Sequence, residues 1–88
     1  MKDIVVFSLE DCPHCVELKE HLHKNKIVFE ECAMDSAEGI TEMRFNGCFA
    51  MVAPVLKVKN NFYEVDDLFP GGKLDENKTR DLTRQRTG

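Results

Sequence analysis

From Ile4 the apolar residues of this 88-residue chain form an unbroken run and then take up a helical period. Ile4-Val5-Val6-Phe7 is rich in β-branched residues, the pattern of a central strand buried on both faces. It stops at Ser8-Leu9-Glu10-Asp11. Cys12 then stands where a helix N-cap would, and Pro13 suits the first helical position. Cys15, Leu18 and Leu22 recur on one face, with Glu17, Lys19, Glu20 and Lys24 elsewhere. Ile27-Val28-Phe29, with a polar tail through Cys32, reads as a second strand. A helix between two strands favours a right-handed crossover and parallel pairing, so a βαβ unit opens the domain.

Asp35 or Ser36 can cap a second helix, with Glu38 placed to reach back to Asp35. This helix carries Ile40, Met43 and Arg44 to a stop near Asn46-Gly47, and Gly39 weakens it. Cys48 to Ala53 reads as a loop leading into Pro54. Val55 to Lys59 and Phe62 to Val65 are two short strands around Asn60-Asn61, a dipeptide that tolerates the positive φ of a tight turn. Lys73 to Arg86 forms a last helix with a thin packing face, since only Leu74 and Leu82 are apolar. The predicted order is βαβαββα, one α/β domain over residues 1–88.

Charge changes this picture by exclusion. The chain carries 16 acidic and 12 basic residues, a formal charge of -4, and the surplus sits early: Met1 to Ala50 holds 10 acidic and 5 basic residues. A domain without a basic stripe is a poor partner for nucleic acid, whose binding rests on Lys and Arg neutralising phosphates. Four apolar residues at the start are too few for a signal peptide or a spanning helix. The expectation is a cytoplasmic protein with no nucleic-acid or membrane partner. A reducing compartment makes cysteines at 12, 15, 32 and 48 more often catalytic or metal-binding than structural bridges.

Cys12-Pro13-His14-Cys15 lies between a strand and a helix, the context of a redox pair. A cysteine at a helix N-terminus feels unpaired N–H groups and the positive end of the helix dipole, and both favour thiolate. Cys15, one turn along, is placed to attack a mixed disulfide formed by Cys12. Pro13 fixes the backbone between them. His14, when protonated, adds to thiolate stabilisation, whereas Glu10 and Asp11 oppose it, so the expected fall in the Cys12 pKa is moderate. Two other readings of the pair are inert packing thiols and half of a zinc site. Zinc lacks a second C-x-x-C, because Cys32 and Cys48 are far apart in the chain.

The chain resembles the glutaredoxins and small glutaredoxin-like proteins of the thioredoxin fold, from the Ile4 strand through Cys12-Pro13-His14-Cys15 to Val52-Ala53-Pro54-Val55-Leu56 and the hairpin. The resemblance implies a four-stranded mixed sheet flanked by helices. It implies that Pro54 follows a cis peptide bond and faces the cysteine pair, and that Ala53 offers backbone groups to an extended substrate. The implied activity is that of a protein disulfide reductase and electron carrier. Cys12 attacks a target disulfide, Cys15 resolves the mixed disulfide, and a separate reductase or low-molecular-weight thiol restores the dithiol.

Departures from the family pattern matter too. Val6 replaces the buried Asp of thioredoxins. Glutaredoxins hold glutathione with a Lys before the motif and a Gly-Gly with Asp after the hairpin. Here Ser8 to Asp11 is acidic and Gly71-Gly72 comes later, so glutathione is left open as a cofactor. The expectation is a monomer whose own redox-active Cys12-Cys15 disulfide is the working group, with no metal. The alternative is a metal or iron-sulfur module using Cys12; a non-catalytic scaffold and an oxidising role are further rivals. Cys32 is expected to be packed or merely tolerated, and Cys48 is weighed for a regulatory role. His21 and His23 are expected to be solvated; Phe45, Phe49 and Met51 can form an apolar rim around the cysteine pair, but the core is the favoured reading.

Overall fold

A computed structural model describes residues 3–84. Strand β1 (Ile4–Ser8), helix α1 (Pro13–Lys24), strand β2 (Glu30–Ala33) and helix α2 (Ala37–Phe45) are followed by the consecutive strands β3 (Val55–Val58) and β4 (Asn61–Tyr63), then by helix α3 (Val65–Leu68), a 3-10 turn over Pro70–Gly72 and helix α4 (Glu76–Thr83). The sheet order is β2-β1-β3-β4, with β1 parallel to β2 and antiparallel to β3, and β3 antiparallel to β4. β1 therefore lies inside the sheet, and all five of its residues are buried.

Both faces of β1 are used. Ile4 and Val6 join Leu18, Leu22, Leu56, Leu68, Phe69 and Leu74 in one core cluster. Val5 and Phe7 join Cys15, Met34, Met43, Cys48, Ala53 and Val55 in the other. Helices on both faces are what make the Ile4–Phe7 run continuous rather than alternating.

The second strand begins later than the sequence suggests, at Glu30 instead of Ile27. The cause is the end of α1. Lys26 takes a φ of 58°; its N–H bonds the His23 carbonyl and the N–H of Ile27 bonds the Leu22 carbonyl. These two bonds form a Schellman motif, so Ile27 is held by the helix it follows and not by the sheet. Ile27 and Phe29 still pack against the first cluster, while Val28 is exposed.

α2 ends in the same way. Gly47 takes a φ of 79°, its N–H bonds the Arg44 carbonyl, and the Cys48 N–H bonds the Met43 carbonyl. Ser36, not Asp35, is the N-cap, with its Oγ accepting the Gly39 N–H at 3.0 Å. The Asp35–Glu38 capping arrangement is therefore replaced by a cap one residue on. A Cβ on Gly39 would run into the Ala33 carbonyl oxygen, so glycine here permits the approach of α2 to the end of β2.

In the hairpin, Val58 faces Asn61, which leaves Lys59-Asn60 as the turn. The positive φ, 57°, falls on Lys59 and not on the asparagines. β4 stops at Tyr63, because the Glu64 N–H bonds the Asp67 carboxylate and starts α3, a helix absent from the predicted order. The last helix starts at Glu76 rather than Lys73, with the Asp75 carboxylate accepting the Lys78 N–H. Its packing face is built partly from Thr79 and Thr83, both fully buried, which apolar periodicity does not register. The predicted continuation to Arg86 lies outside the described residues.

Candidate functional site

The end of β1 and the start of α1 place the cysteines. Asp11 turns the chain at a φ of 54°, Cys12 is the N-cap of α1, and Pro13 occupies the first turn. The Cys15 N–H donates to Cys12 Sγ at 3.1 Å, a cap role that serine or aspartate oxygens usually fill. Cys12 and Cys15 are joined as a disulfide with their Cα atoms 5.2 Å apart. Their environments differ: Cys12 is half-buried, whereas Cys15 is 1% exposed and belongs to the second core cluster.

Pro54 and Ala53 meet this pair from the loop before β3. The Ala53-Pro54 peptide is cis, and the Ala53 carbonyl oxygen lies 3.8 Å from Cys12 Sγ. Ala53 and Pro54 are both buried. Next to them Met51 and Val52 are open to solvent. His14 turns the other way, its ring stacked on Phe69 at the end of α3 with centroids 4.3 Å apart. Phe69 is a contact of the motif that no periodicity points to; its one signal is its place beside Pro70-Gly71-Gly72, where the chain turns back.

A groove beside Cys12 is lined by Leu9, Glu10, Asp11, Lys19, Glu31 and Asp35 among others. Glu31 ties its floor together: its Oε2 accepts from Ser8 Oγ at 2.7 Å and from Lys19 Nζ at 2.8 Å, which joins β1, β2 and α1. The hydrogen bond from Lys19, followed by that from Ser8, holds the Glu31 carboxyl below its usual range. On the far wall Leu9 and Asp35 also border an apolar hollow with Met34, Ile40, Met43 and Phe49.

Several side chains lie elsewhere than expected. Phe45, Phe49 and Met51 are 88%, 70% and 90% exposed, so they are surface residues and not core. The Schellman turn at Gly47 swings the chain away after α2 and buries Cys48 in their place. His21 is buried on α1, not solvated, and lies within reach of the charges of Glu76 and Arg80 on α4; burial pushes its pKa down from 6.5. His23 is exposed and leans on Phe29. Cys32 is half-buried and unpaired. Among the described residues no three His, Cys, Asp or Glu side chains converge as a metal cluster, and no helix is long and apolar enough to cross a membrane.

A family model described as Glutaredoxin matches residues 4–48, the span from β1 through α2 to Cys48. The crystal structure of a mutant of the thioredoxin-like protein BC3987 superimposes with a TM-score of 0.70 at 23% identity, covering 93% of this chain and 95% of that one. That likeness shows a thioredoxin-like fold. No curated protein sequence matches. With the family match extending over half of its length, and with the cysteine pair inside the matched segment, the chain belongs to the glutaredoxin family.

Proposed function

We propose that this glutaredoxin-family protein is a cytoplasmic thiol-disulfide oxidoreductase that reduces protein disulfides through Cys12 and Cys15. The observation that carries the reading is the asymmetry of the pair. Cys12 is half-buried at a helix N-terminus and borders the groove, whereas Cys15, one turn along, is 1% exposed and packs in the core. A thiolate at Cys12 gains from the Cys15 N–H and the positive end of α1. It attacks one sulfur of a target disulfide and releases the other as thiolate. Cys15 then attacks the Cys12 sulfur, closing the internal disulfide and freeing the target as a dithiol. Two electrons leave the pair for the target.

Ala53 contributes its backbone beside Cys12, where an extended substrate strand can align, and Pro54 and Pro13 hold the two loops that meet at the sulfur. His14 tunes the loop between the cysteines from its seat on Phe69. The protein acts as a monomer and is returned to the dithiol by a separate reductase or a low-molecular-weight thiol.

The test is a pair of serine variants given a disulfide-bonded protein substrate. Cys12→Ser abolishes turnover, while Cys15→Ser accumulates a mixed disulfide at Cys12 that intact mass spectrometry detects. Full activity in both variants would overturn the reading.

A further inference from the structure

We infer that Glu10, Asp11 and Asp35 make the redox site selective for positively charged disulfides. The physiological class is then a polypeptide disulfide with Lys or Arg beside its cysteines. This rests on the thiol-disulfide reading above and names its substrate class.

The inference comes from the charge that borders Cys12. Four carboxylates, those of Glu10, Asp11, Glu31 and Asp35, line the groove, against one ammonium, that of Lys19. Lys19 is already matched to Glu31 at 2.8 Å. Among the described residues Glu10, Asp11 and Asp35 have no ion-pair partner, and all three are exposed. An incoming disulfide must place a sulfur on Cys12 and so carries its flanking groups past these three carboxylates.

Glu10 and Asp11 directly precede the nucleophile, and the left-handed turn at Asp11 fixes this stretch of backbone against Cys12. Cationic flanks lower the energy of the encounter and anionic ones raise it. Their effect is on the association step, where electrostatic steering acts and salt weakens it.

The experiment is a single turnover of the pre-reduced protein, freed of reductant, with three small disulfides: cystamine, a dication; bis(2-hydroxyethyl) disulfide, neutral; and oxidised glutathione, an anion. In each case the protein dithiol becomes the Cys12-Cys15 disulfide and the reagent becomes two thiols. The two thiol protons and two electrons of the protein pass to the reagent. Each rate is divided by that of dithiothreitol with the same reagent, which removes intrinsic reactivity.

The normalised cystamine-to-glutathione ratio should be about tenfold above unity in about 0.01 M salt and fall toward unity in about 1 M salt, where the Debye length shrinks from about 30 Å to about 3 Å. The Glu10→Gln/Asp11→Asn double variant should lower the low-salt ratio by about threefold or more. Asparagine tolerates the positive φ at position 11, so the turn survives the change. A ratio is read because removing negative charge also favours the Cys12 thiolate, which speeds every reagent alike. Equal normalised rates at low salt would overturn charge selection and leave the exchange reaction standing. Failure of all three reagents to oxidise the pair would overturn the reductase reading itself.

Discussion

The imidazole of His14 lies nearly parallel to the Phe69 ring, with centroids 4.3 Å apart and planes 20° from parallel. Phe69 is only 3% exposed and closes α3, so it is a fixed platform rather than a mobile partner. The loop between the two cysteines is thereby held against an element that joins the chain only after the whole sheet is complete.

Replacing that platform tests the relationship. Phe69→Leu keeps an apolar side chain and should cost about 1 to 2 kcal/mol of stability, less than the 3 to 5 kcal/mol typical of Phe→Ala. The His14 ring protons sit in the Phe69 ring current, so their NMR resonances should move downfield in the variant. Unchanged His14 shifts would mean that the stack is not populated in solution.

Gly39 gives a prediction in which local and tertiary effects have opposite signs. Alanine favours a helix interior over glycine by about 1 kcal/mol, so propensity alone makes Gly39→Ala stabilising. The Ala33 carbonyl oxygen occupies the space a Cβ needs, and backbone yields poorly. The expected result is a loss of about 1 to 3 kcal/mol, as for other overpacked sites, measured by urea denaturation. A stabilised variant would place α2 farther from β2 than it is here.

The exposed aromatic and methionine side chains separate surface from core. Phe45→Ser and Met51→Ser should change stability by no more than about 0.5 kcal/mol, whereas Leu56→Ala should cost about 2 to 5 kcal/mol. Phe45 and Met51 are largely in solvent, while Leu56 is fully buried. A large loss at Met51 would mean that the loop before Pro54 folds over the hollow it now borders.

These residues also mark where the sequence could and could not be read. β1, the start of α1 and the placement of the cysteine pair follow from local signals: a β-branched run, an N-cap, and proline at the first helical position. Gly47 likewise announces the end of α2. Phe49 and Met51 look like core in a one-dimensional pattern because hydrophobicity does not say which way a loop departs after a Schellman turn. Lys26 hides the same motif, since it takes without glycine the φ that glycine would have advertised. The contact of His14 with Phe69 joins residues 55 positions apart and has no local signature.

His21 supplies a pH dependence. Asn25 Nδ2 lies 3.3 Å from His21 Nδ1. With the amide donating, the proton of the neutral ring belongs on Nε2, a buried atom with no hydrogen-bond partner; Thr79 Oγ1, on α4, is a second such atom. Burial lowers the His21 pKa, Glu76 acts against it, and Arg80 and Lys24 add to the lowering. The folded state thus binds this proton less readily than the unfolded chain, and stability rises with pH through this group. Its contribution is fully present above 6.5 and is lost as pH falls from there through the lower folded value. Urea unfolding of the wild type and of His21→Gln between about pH 7.5 and pH 5.5 isolates the effect, because the two proteins differ only in this imidazole. The wild type should lose more stability than the variant over that range. Equal losses would mean that protonated His21 is accommodated between α1 and α4 without cost.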